Sequence, residues 1–447
     1  MTLPKGWAIA EAGEVCAIVQ SGGTPKKGFL DHPGIPFLKV YNLVNQQVAF
    51  SYRPQWISPG IHQGELSKSR VYPGDVLMNI VGPPLGKIAI VPNYSDEWNV
   101  NQAITIFRPS EVLGSRWIYW YLRGGRSVQS VINATRGIAG QVNISLSQCR
   151  AFPFPVPPAA EQHRIVAKLD ALTARLARAR AELDRVPVLA ESLRATALRE
   201  VFHWDADELP RCWTRQRIDE VGSVQLGRQR SPKDHHGAHM RPYVRSANVT
   251  WDGWDLSDVK EMNFSPTEFP VFVLEKGDVL LNEGSGSAKE VGKPAVWHGE
   301  IEGACFQNTL LRVRPTKYLP DLLRYALLYM AKSGQFIANT KGVNIIHIGK
   351  AGLAKTVIPV PPVEQQQPLL TAIDNAFARA DRLEAEAARA RALIDRLEAA
   401  ILAKAFRGEL VPQDPNDEPA SVLLDRIRAE RATAPKPKRG RAAKASA

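Results

Sequence analysis

Cysteine is scarce. Cys16, Cys149, Cys212 and Cys305 are the only ones in 447 residues, and none stands in Cys-x-x-Cys spacing. That excludes a zinc ribbon and argues against a disulfide framework; a reducing, cytoplasmic setting is expected. No run approaches the 18 or so apolar residues that a membrane helix needs, so no membrane partner is expected. The opening string, Met1-Thr2-Leu3-Pro4-Lys5-Gly6-Trp7, lacks the charged-then-apolar pattern of a secretion signal.

Strings that carry chemistry are missing as well. An adenine methyltransferase needs a polar residue, two prolines and an aromatic in one loop. The nearest match, Gly82-Pro83-Pro84-Leu85, has neither flanking residue and reads as a turn. Gly82–Lys87 is one residue short of a phosphate-binding loop and is followed by Ile88. Gly284-Ser285-Gly286-Ser287-Ala288-Lys289 has no Gly-Lys-Ser ending and reads as a flexible loop near nucleic acid in preference to a plain solvent loop. His235, His236 and His239 have no cysteine or carboxylate set at ligand spacing, so they read as a surface cluster. Asp75 and Asp278 sit in Gly-Asp turns and read as turn caps. No catalytic residue and no metal site is expected.

What is present is positive charge. Fifty-seven Lys and Arg against forty-five Asp and Glu give a net +12. Such a balance favours a polyanionic partner, nucleic acid first. Part of the excess lies in Lys436, Lys438, Arg439, Arg441 and Lys444, in a tail expected to be solvated and disordered.

The chain is also written twice. Leu3-Pro4-Lys5-Gly6-Trp7 returns as Leu209-Pro210-Arg211-Cys212-Trp213. Pro36-Phe37-Leu38-Lys39 with Asn42-Leu43 returns as Pro242-Tyr243-Val244-Arg245 with Asn248-Val249. Gly74-Asp75-Val76-Leu77-Met78-Asn79 returns as Gly277-Asp278-Val279-Leu280-Leu281-Asn282. Gly86-Lys87, Arg108-Pro109 and Pro155-Val156-Pro157-Pro158 return in the same order, at an offset that stays near 205. A tandem duplication follows. The shared residues suit turns and core, while the stretches between them differ. Each half opens with short apolar runs broken by Gly, Pro, Asn and Asp, which read as strands and loops. Helices are expected at Arg116–Arg123 and Asp321–Ala331.

After each Pro-rich hinge the period changes to seven. Ile165, Leu169, Leu172, Leu176, Ala179, Leu183, Val186, Ala190, Leu193 and Ala197 form one apolar seam. Leu369, Ile373, Ala376, Ala380, Leu383, Ala387, Ala390, Ile394, Leu397 and Ile401 form the same seam again. Matching registers predict that the two helices pair with each other. Pro187 should kink the first. Connectivity makes the pair antiparallel, a rod of about 60 Å for about 40 residues. The fold class expected is α+β: two tandem domains, each followed by a long helix, with the helices forming an antiparallel coiled coil. The boundaries expected are 1–153 and 206–357 for the domains, 154–205 and 358–412 for hinge and helix, and 413–447 for the tail.

This arrangement resembles the specificity subunits of type I restriction–modification enzymes. The resemblance covers residues 1 to about 412. It rests on Ser21-Gly22-Gly23-Thr24-Pro25, the Gly-Asp-Val-Leu strands, the Gly-Lys turns, the Pro-Val-Pro-Pro hinge with Glu161-Gln162, and Phe406-Arg407-Gly408-Glu409-Leu410-Val411. Two departures stand out. Gln365 replaces Glu before Gln366, and Gly227-Arg228-Gln229-Arg230-Ser231-Pro232 replaces the Ser-Gly-Gly-Thr-Pro string. The resemblance implies a non-catalytic subunit that reads a bipartite, asymmetric target on double-stranded DNA through two target-recognition domains. It implies partners: two methylation (M) subunits carrying S-adenosylmethionine and two restriction (R) subunits using ATP and Mg. A rod-like protein-interaction adaptor without DNA specificity stays open as the alternative.

Reading bases needs paired donors and acceptors, and holding phosphates needs cations. In the first domain the candidates are Lys26, Lys27, Lys39, Tyr41, Asn42, Lys68, Arg70, Asn79, Lys87 and Arg136. In the second they are Arg228, Arg230, Lys233, Arg245, Asn248, Asn282, Lys289, Lys293, Lys341 and Asn344. Polar identity recurs at Lys39/Arg245, Asn42/Asn248 and Lys87/Lys293. That recurrence fits either contact with DNA or support of the scaffold.

Overall fold

A computed structural model describes residues 3–134, 143–203, 209–285, 290–338 and 346–433. Its contacts divide into two units, 1–181 with 390–447, and 182–389.

The first unit opens on strand Ala8–Glu11, which pairs antiparallel with Pro153–Val156 and so ties the domain's start to its end. An antiparallel sheet follows, in the order Ile88–Ile90, Val76–Asn79, Ile104–Arg108, Ile18–Ser21. Val76–Asn79 is buried along its whole length, as its unbroken apolar run predicts. A second sheet carries one parallel pair, Ile35–Leu38 beside Trp98–Val100. Helix Ser115–Arg123 covers the core with Trp117, Ile118 and Leu122.

The second unit repeats this plan. Thr214–Arg217 pairs with Val357–Val360. Its four-stranded sheet runs Gly222–Leu226, Leu310–Pro315, Val279–Asn282, Pro294–Val296. Met240–Val244 and Cys305–Phe306 form the parallel pair. Helix Pro320–Lys332 takes the place of Ser115–Arg123.

The repeated residues are joints of this scaffold. Trp7 donates its indole N–H to Glu161 at 2.9 Å, and Trp213 donates to the Gln365 amide oxygen at 2.8 Å. Gln in place of Glu thus preserves the joint. Gln162 accepts from the Gly114 N–H and donates to the Val112 carbonyl. Gln366 does the same with Leu319 and Lys317. Gly74, at φ +87°, opens a turn in which Asp75 accepts from the Tyr72 N–H at 2.9 Å. Asp75 also takes a two-pronged contact from Arg108, at 2.9 and 2.8 Å. Asp278 and Arg314 repeat it at 2.7 and 2.8 Å.

The first long helix spans Ala159–Leu183, breaks, and resumes as Val186–Phe202 with Pro187 in its first turn. The second runs unbroken over Val363–Ala405. Within the first unit, Ile165 and Leu169 share a core with Ile401, Leu402 and Phe406. Farther along, Arg180 pairs with Asp395 and Glu398 at 2.6 and 2.7 Å. Within the second unit, Leu198 and Phe202 share a core with Leu370 and Ile373. There Arg194 pairs with Asp381 and Glu384 at 2.5 and 2.6 Å. In both units the helix segments run antiparallel.

The seam needs correction at three positions, the exposed Ala179 among them. Ile165, Leu169, Ile373 and Ile401 are buried, and Leu172, Leu176, Leu183, Leu369 and Ile394 are half-buried. Leu383 and Leu397 are exposed at 40% and 50%. A helix with one small-residue neighbour buries only a narrow strip, and ion pairs flank it here. Leu383→Asp should therefore change stability by less than about 1 kcal/mol. Ile373→Asp should cost several kcal/mol, because its carboxylate would be buried without a partner. Urea unfolding of both variants measures the difference.

The C-terminal segment needs correction too. Residues Ala420–Thr433 form a helix that places Ala420 and Leu424 in the first unit's core. The Ala420 N–H donates to the Gly6 carbonyl at 2.9 Å, and Arg164 and Arg428 pair with Asp417 and Glu14. The five tail cations beyond it lie outside the described residues.

Candidate nucleic-acid interface

Two asparagines with matching surroundings organise the interface loops. Asn42 is buried; its oxygen accepts from the Lys39 N–H, and its amide donates to the Ala49 and Tyr52 carbonyls at 3.3 and 2.8 Å. Asn248 is buried likewise, accepting from the Arg245 N–H and donating to the Asp255 and Asp258 carbonyls at 2.9 and 3.2 Å. An amide spent on backbone has no edge left for adenine. Both residues therefore brace loops and do not read bases, which corrects the expectation from sequence. Asn79 is also a brace, holding the Val81 and Pro84 carbonyls and the Lys87 N–H. Asn282 is buried and donates to the Glu290 carbonyl.

Three cations are likewise engaged inside the second domain. Arg228 is bonded to Glu268 at 2.8 Å and lies over the Phe264 ring. This partnership holds the Glu268 carboxyl down at about 2. Lys293 is nearly buried, pairs with Glu290 and faces the Trp251 ring. Arg245 pairs with Asp258 at 2.7 Å. Burial makes an acidic partner obligatory for the first two, so their charge is not presented to a phosphate.

The remaining candidates are accessible. Lys26 and Lys27 are exposed in the loop after Ile18–Ser21. Lys39 is half-buried, with its ammonium 5.3 Å from the Phe29 ring. Tyr41 and Lys87 are half-buried and Lys68 is exposed. Arg70 is half-buried, and its Nε has no partner among the described residues. Lys233 is exposed on the turn Pro232–His235, and Arg230 is exposed with its Nε 3.1 Å from His235. Arg136, Lys289, Lys341 and Asn344 lie outside the described residues.

Two residues were missed from sequence. The loop that Asn42 braces presents Tyr52, 52% exposed, and Arg53, in the left-handed region at φ +53°. Tyr41 packs edge-on against Tyr52, and the Arg53 guanidinium lies 5.4 Å from the Tyr52 ring. The signal was the repeated Asn itself, seven and ten residues before the carbonyls it holds. The matching loop of the second domain presents Asp255 and Asp258 instead. One brace thus carries an aromatic–cationic tip in one half and an acidic tip in the other.

The unlike starting strings share one constraint. A Cβ at Gly22 would lie 2.2 Å from the Val100 and Asn101 carbonyls, and one at Gly227 would lie 2.2 Å from that of Gln307. Glycine is required at both places, and the residues after it are free to differ.

Behind these loops, His62 is buried between Glu97 and Asn99, at 3.2 and 3.1 Å. The Asn99 amide donates to Nδ1, which leaves Nε2–H for Glu97. Burial lowers the His62 pKa from its ordinary 6.5. The folded state thus favours neutral imidazole. That stability is complete above pH 6.5 and is lost as pH falls toward the lowered value. Urea unfolding should show the first domain weakening between pH 7.5 and 5.5, and His62→Gln should reduce that dependence.

Comparison with known proteins gives one answer. The type I restriction modification DNA specificity domain matches residues 4–185 and again 210–388. The type I restriction enzyme EcoKI specificity subunit of Escherichia coli (strain K12) is 26% identical over 96% of both chains. The StySPI specificity subunit of Salmonella potsdam is 23% identical over 96% of both. The crystal structure of the HsdS subunit from Thermoanaerobacter tengcongensis superposes with a TM-score of 0.63 at 24% identity, covering 92% of this chain and 99% of that one. A chain from a structural study of type I R-M complex assembly and conformational transition reaches 0.70 at 23%, covering 92% and 100%. Among the described residues, no helix is long and apolar enough to cross a membrane. A doubled specificity domain on a duplicated α+β scaffold places this chain in the family of type I restriction–modification DNA specificity subunits.

Proposed function

We propose that this chain reads a bipartite, asymmetric target on double-stranded DNA and performs no chemistry itself. It positions two methylation subunits and, in the complete complex, two restriction subunits, in the bacterial cytoplasm. S-adenosylmethionine belongs to the methylation subunit, and ATP and Mg to the restriction subunit. The observation that carries the reading is the matched pair of braces, Asn42 and Asn248, under unlike tips: Tyr52–Arg53 against Asp255 and Asp258. A shared frame accepts two copies of one partner, while unlike tips contact unlike bases. Exposed Lys26, Lys27, Arg230 and Lys233, with the half-buried Lys39, supply cations for phosphates.

Two assays on the purified chain test this. In a gel shift, affinity for duplex DNA should fall about a hundredfold or more between 50 and 200 mM salt, as counterions compete for the phosphates. With S-adenosylmethionine and DNA, methyl transfer should require the methylation subunit. Salt-independent binding would contradict the phosphate contacts, and methylation by the chain alone would contradict the division of labour.

A further inference from the structure

The two braced loops differ in how their cations are spent. On the second, the position matching Arg53 is Val259, and the cations nearby, Arg245 and Lys260, both contact Asp258, at 2.7 and 2.6 Å. On the first, no carboxylate pairs with Arg53 or Lys39 among the described residues. Segment 26–57 holds Lys26, Lys27, Lys39 and Arg53 against a single carboxylate, Asp31. Lys39 follows strand Ile35–Leu38, whose antiparallel partner Trp56–Ile57 begins three residues after Arg53. Lys39 and Arg53 therefore leave the sheet at the same end.

Arg53 is also held in a state that arginine seldom adopts. Its φ is +53°, in the left-handed region, and Pro54 after it narrows the choices of its backbone further. Three contacts impose that state. The Asn42 amide donates to the Tyr52 carbonyl at 2.8 Å, the Tyr41 hydroxyl donates to the Arg53 carbonyl at 3.4 Å, and Tyr41 packs edge-on against Tyr52. The Arg53 guanidinium lies 5.4 Å from the exposed Tyr52 ring, so the side chain is restrained along with the backbone. Backbone strain that the surroundings enforce gathers at sites that contact a ligand.

We propose that Arg53 reads a guanine in the first domain's half-site, its fork donating to O6 and N7 in the major groove, with Tyr52 as the residue that positions it. This rests on the first domain reading DNA. A phosphate needs only a cation within reach, and a lysine on a loose tether serves. A guanine edge needs two donors at a fixed spacing. A guanidinium laid on a ring and carried by a braced loop supplies them with little freedom left to lose. The second tip has no such group, so this contact belongs to one half alone.

Competition gel shifts with the assembled methylation complex test this. The target is first found by sequencing methylated adenines, and each base pair of both half-sites is then replaced in turn. With the parent chain, replacing one G·C pair should weaken binding about tenfold or more. Arg53→Ala should abolish that preference at this one pair, leaving the other positions and the salt dependence unchanged. The ratio compares two duplexes on one preparation, so partial unfolding of the variant does not imitate the loss. Tyr52→Leu should weaken the same preference and Tyr52→Phe should keep it, which reads the contact even if the Arg53→Ala complex binds no duplex. Unchanged discrimination by Arg53→Ala, loss at an A·T pair, or equal behaviour of the two Tyr52 variants would overturn the proposal. So would an equal loss on every duplex with the salt slope reduced by about one, the mark of a phosphate contact. If the parent complex itself discriminates at no position, the reading of DNA by this chain fails instead, and the parent measurement tells the two failures apart.

Discussion

Replacing Asp278 by alanine is expected to destabilise the second domain by about 3–5 kcal/mol, the range for breaking a buried ion pair from one side. The Asp278 carboxylate is fully buried. It accepts two hydrogen bonds from Arg314 and one from the Glu275 N–H. Arg312 stands 3.9 Å away, its side chain 8% exposed and its Nε without a partner among the described residues. Burial already pushes the Arg312 guanidinium down from its ordinary pKa. Alanine would leave Arg312 without its ion-pair carboxylate and Arg314 with only the exposed Glu275, at 2.6 Å. Asp75→Ala in the first domain should cost less, about 2–3 kcal/mol. There the position matching Arg312 is the apolar Ile106, so no second buried cation loses its partner. Urea unfolding of the full chain, followed by tryptophan fluorescence, ranks the two variants. Equal losses, or none at Asp278, would contradict this account of the joint.

Grafting residues 4–162 in place of 210–366 is expected to change the DNA target completely in one half and not at all in the other. The graft carries its own hinge, so Trp7 keeps Glu161 and the Gly114 N–H keeps Gln162. The receiving helix offers a matched acceptor. Asp170 accepts from the Trp120 indole at 2.7 Å, and Asp374 accepts from the Tyr325 hydroxyl at 2.9 Å. Asp374 therefore stands where the grafted Trp120 needs it. With both tips now Tyr52–Arg53, the first half-site should be read twice and the bases of the second should drop out of the target. Persistence of the second half-site would show that the helices or the tail read sequence.

Much of this frame was legible because duplication leaves a regular mark. Helices expected at Arg116–Arg123 and Asp321–Ala331 are found at Ser115–Arg123 and Pro320–Lys332. The break at Pro187 followed from a missing N–H. The interface was harder to read. A base-reading asparagine and a loop brace need the same paired donor and acceptor, so Asn42 and Asn248 look alike under either role. Only the carbonyls seven and ten residues on decide between them. Arg228 is engaged by Glu268, forty residues away and brought up only by tertiary structure, while Lys293 is engaged by Glu290, a partner three residues before it in the sequence. At the C-terminus, tail charge drew attention from Leu423, Leu424 and Ile427, whose helical spacing marks an apolar face. Leu383 and Leu397 fit the heptad grid, yet periodicity does not report how wide a strip one neighbour covers.

Sequencing of methylated adenines in cells that express this chain with its methylation subunit tests the central claim most directly. The account predicts two unlike half-sites, always together, separated by a fixed number of bases that are not read. A single continuous target, or a palindrome made of one half-site repeated, would contradict it.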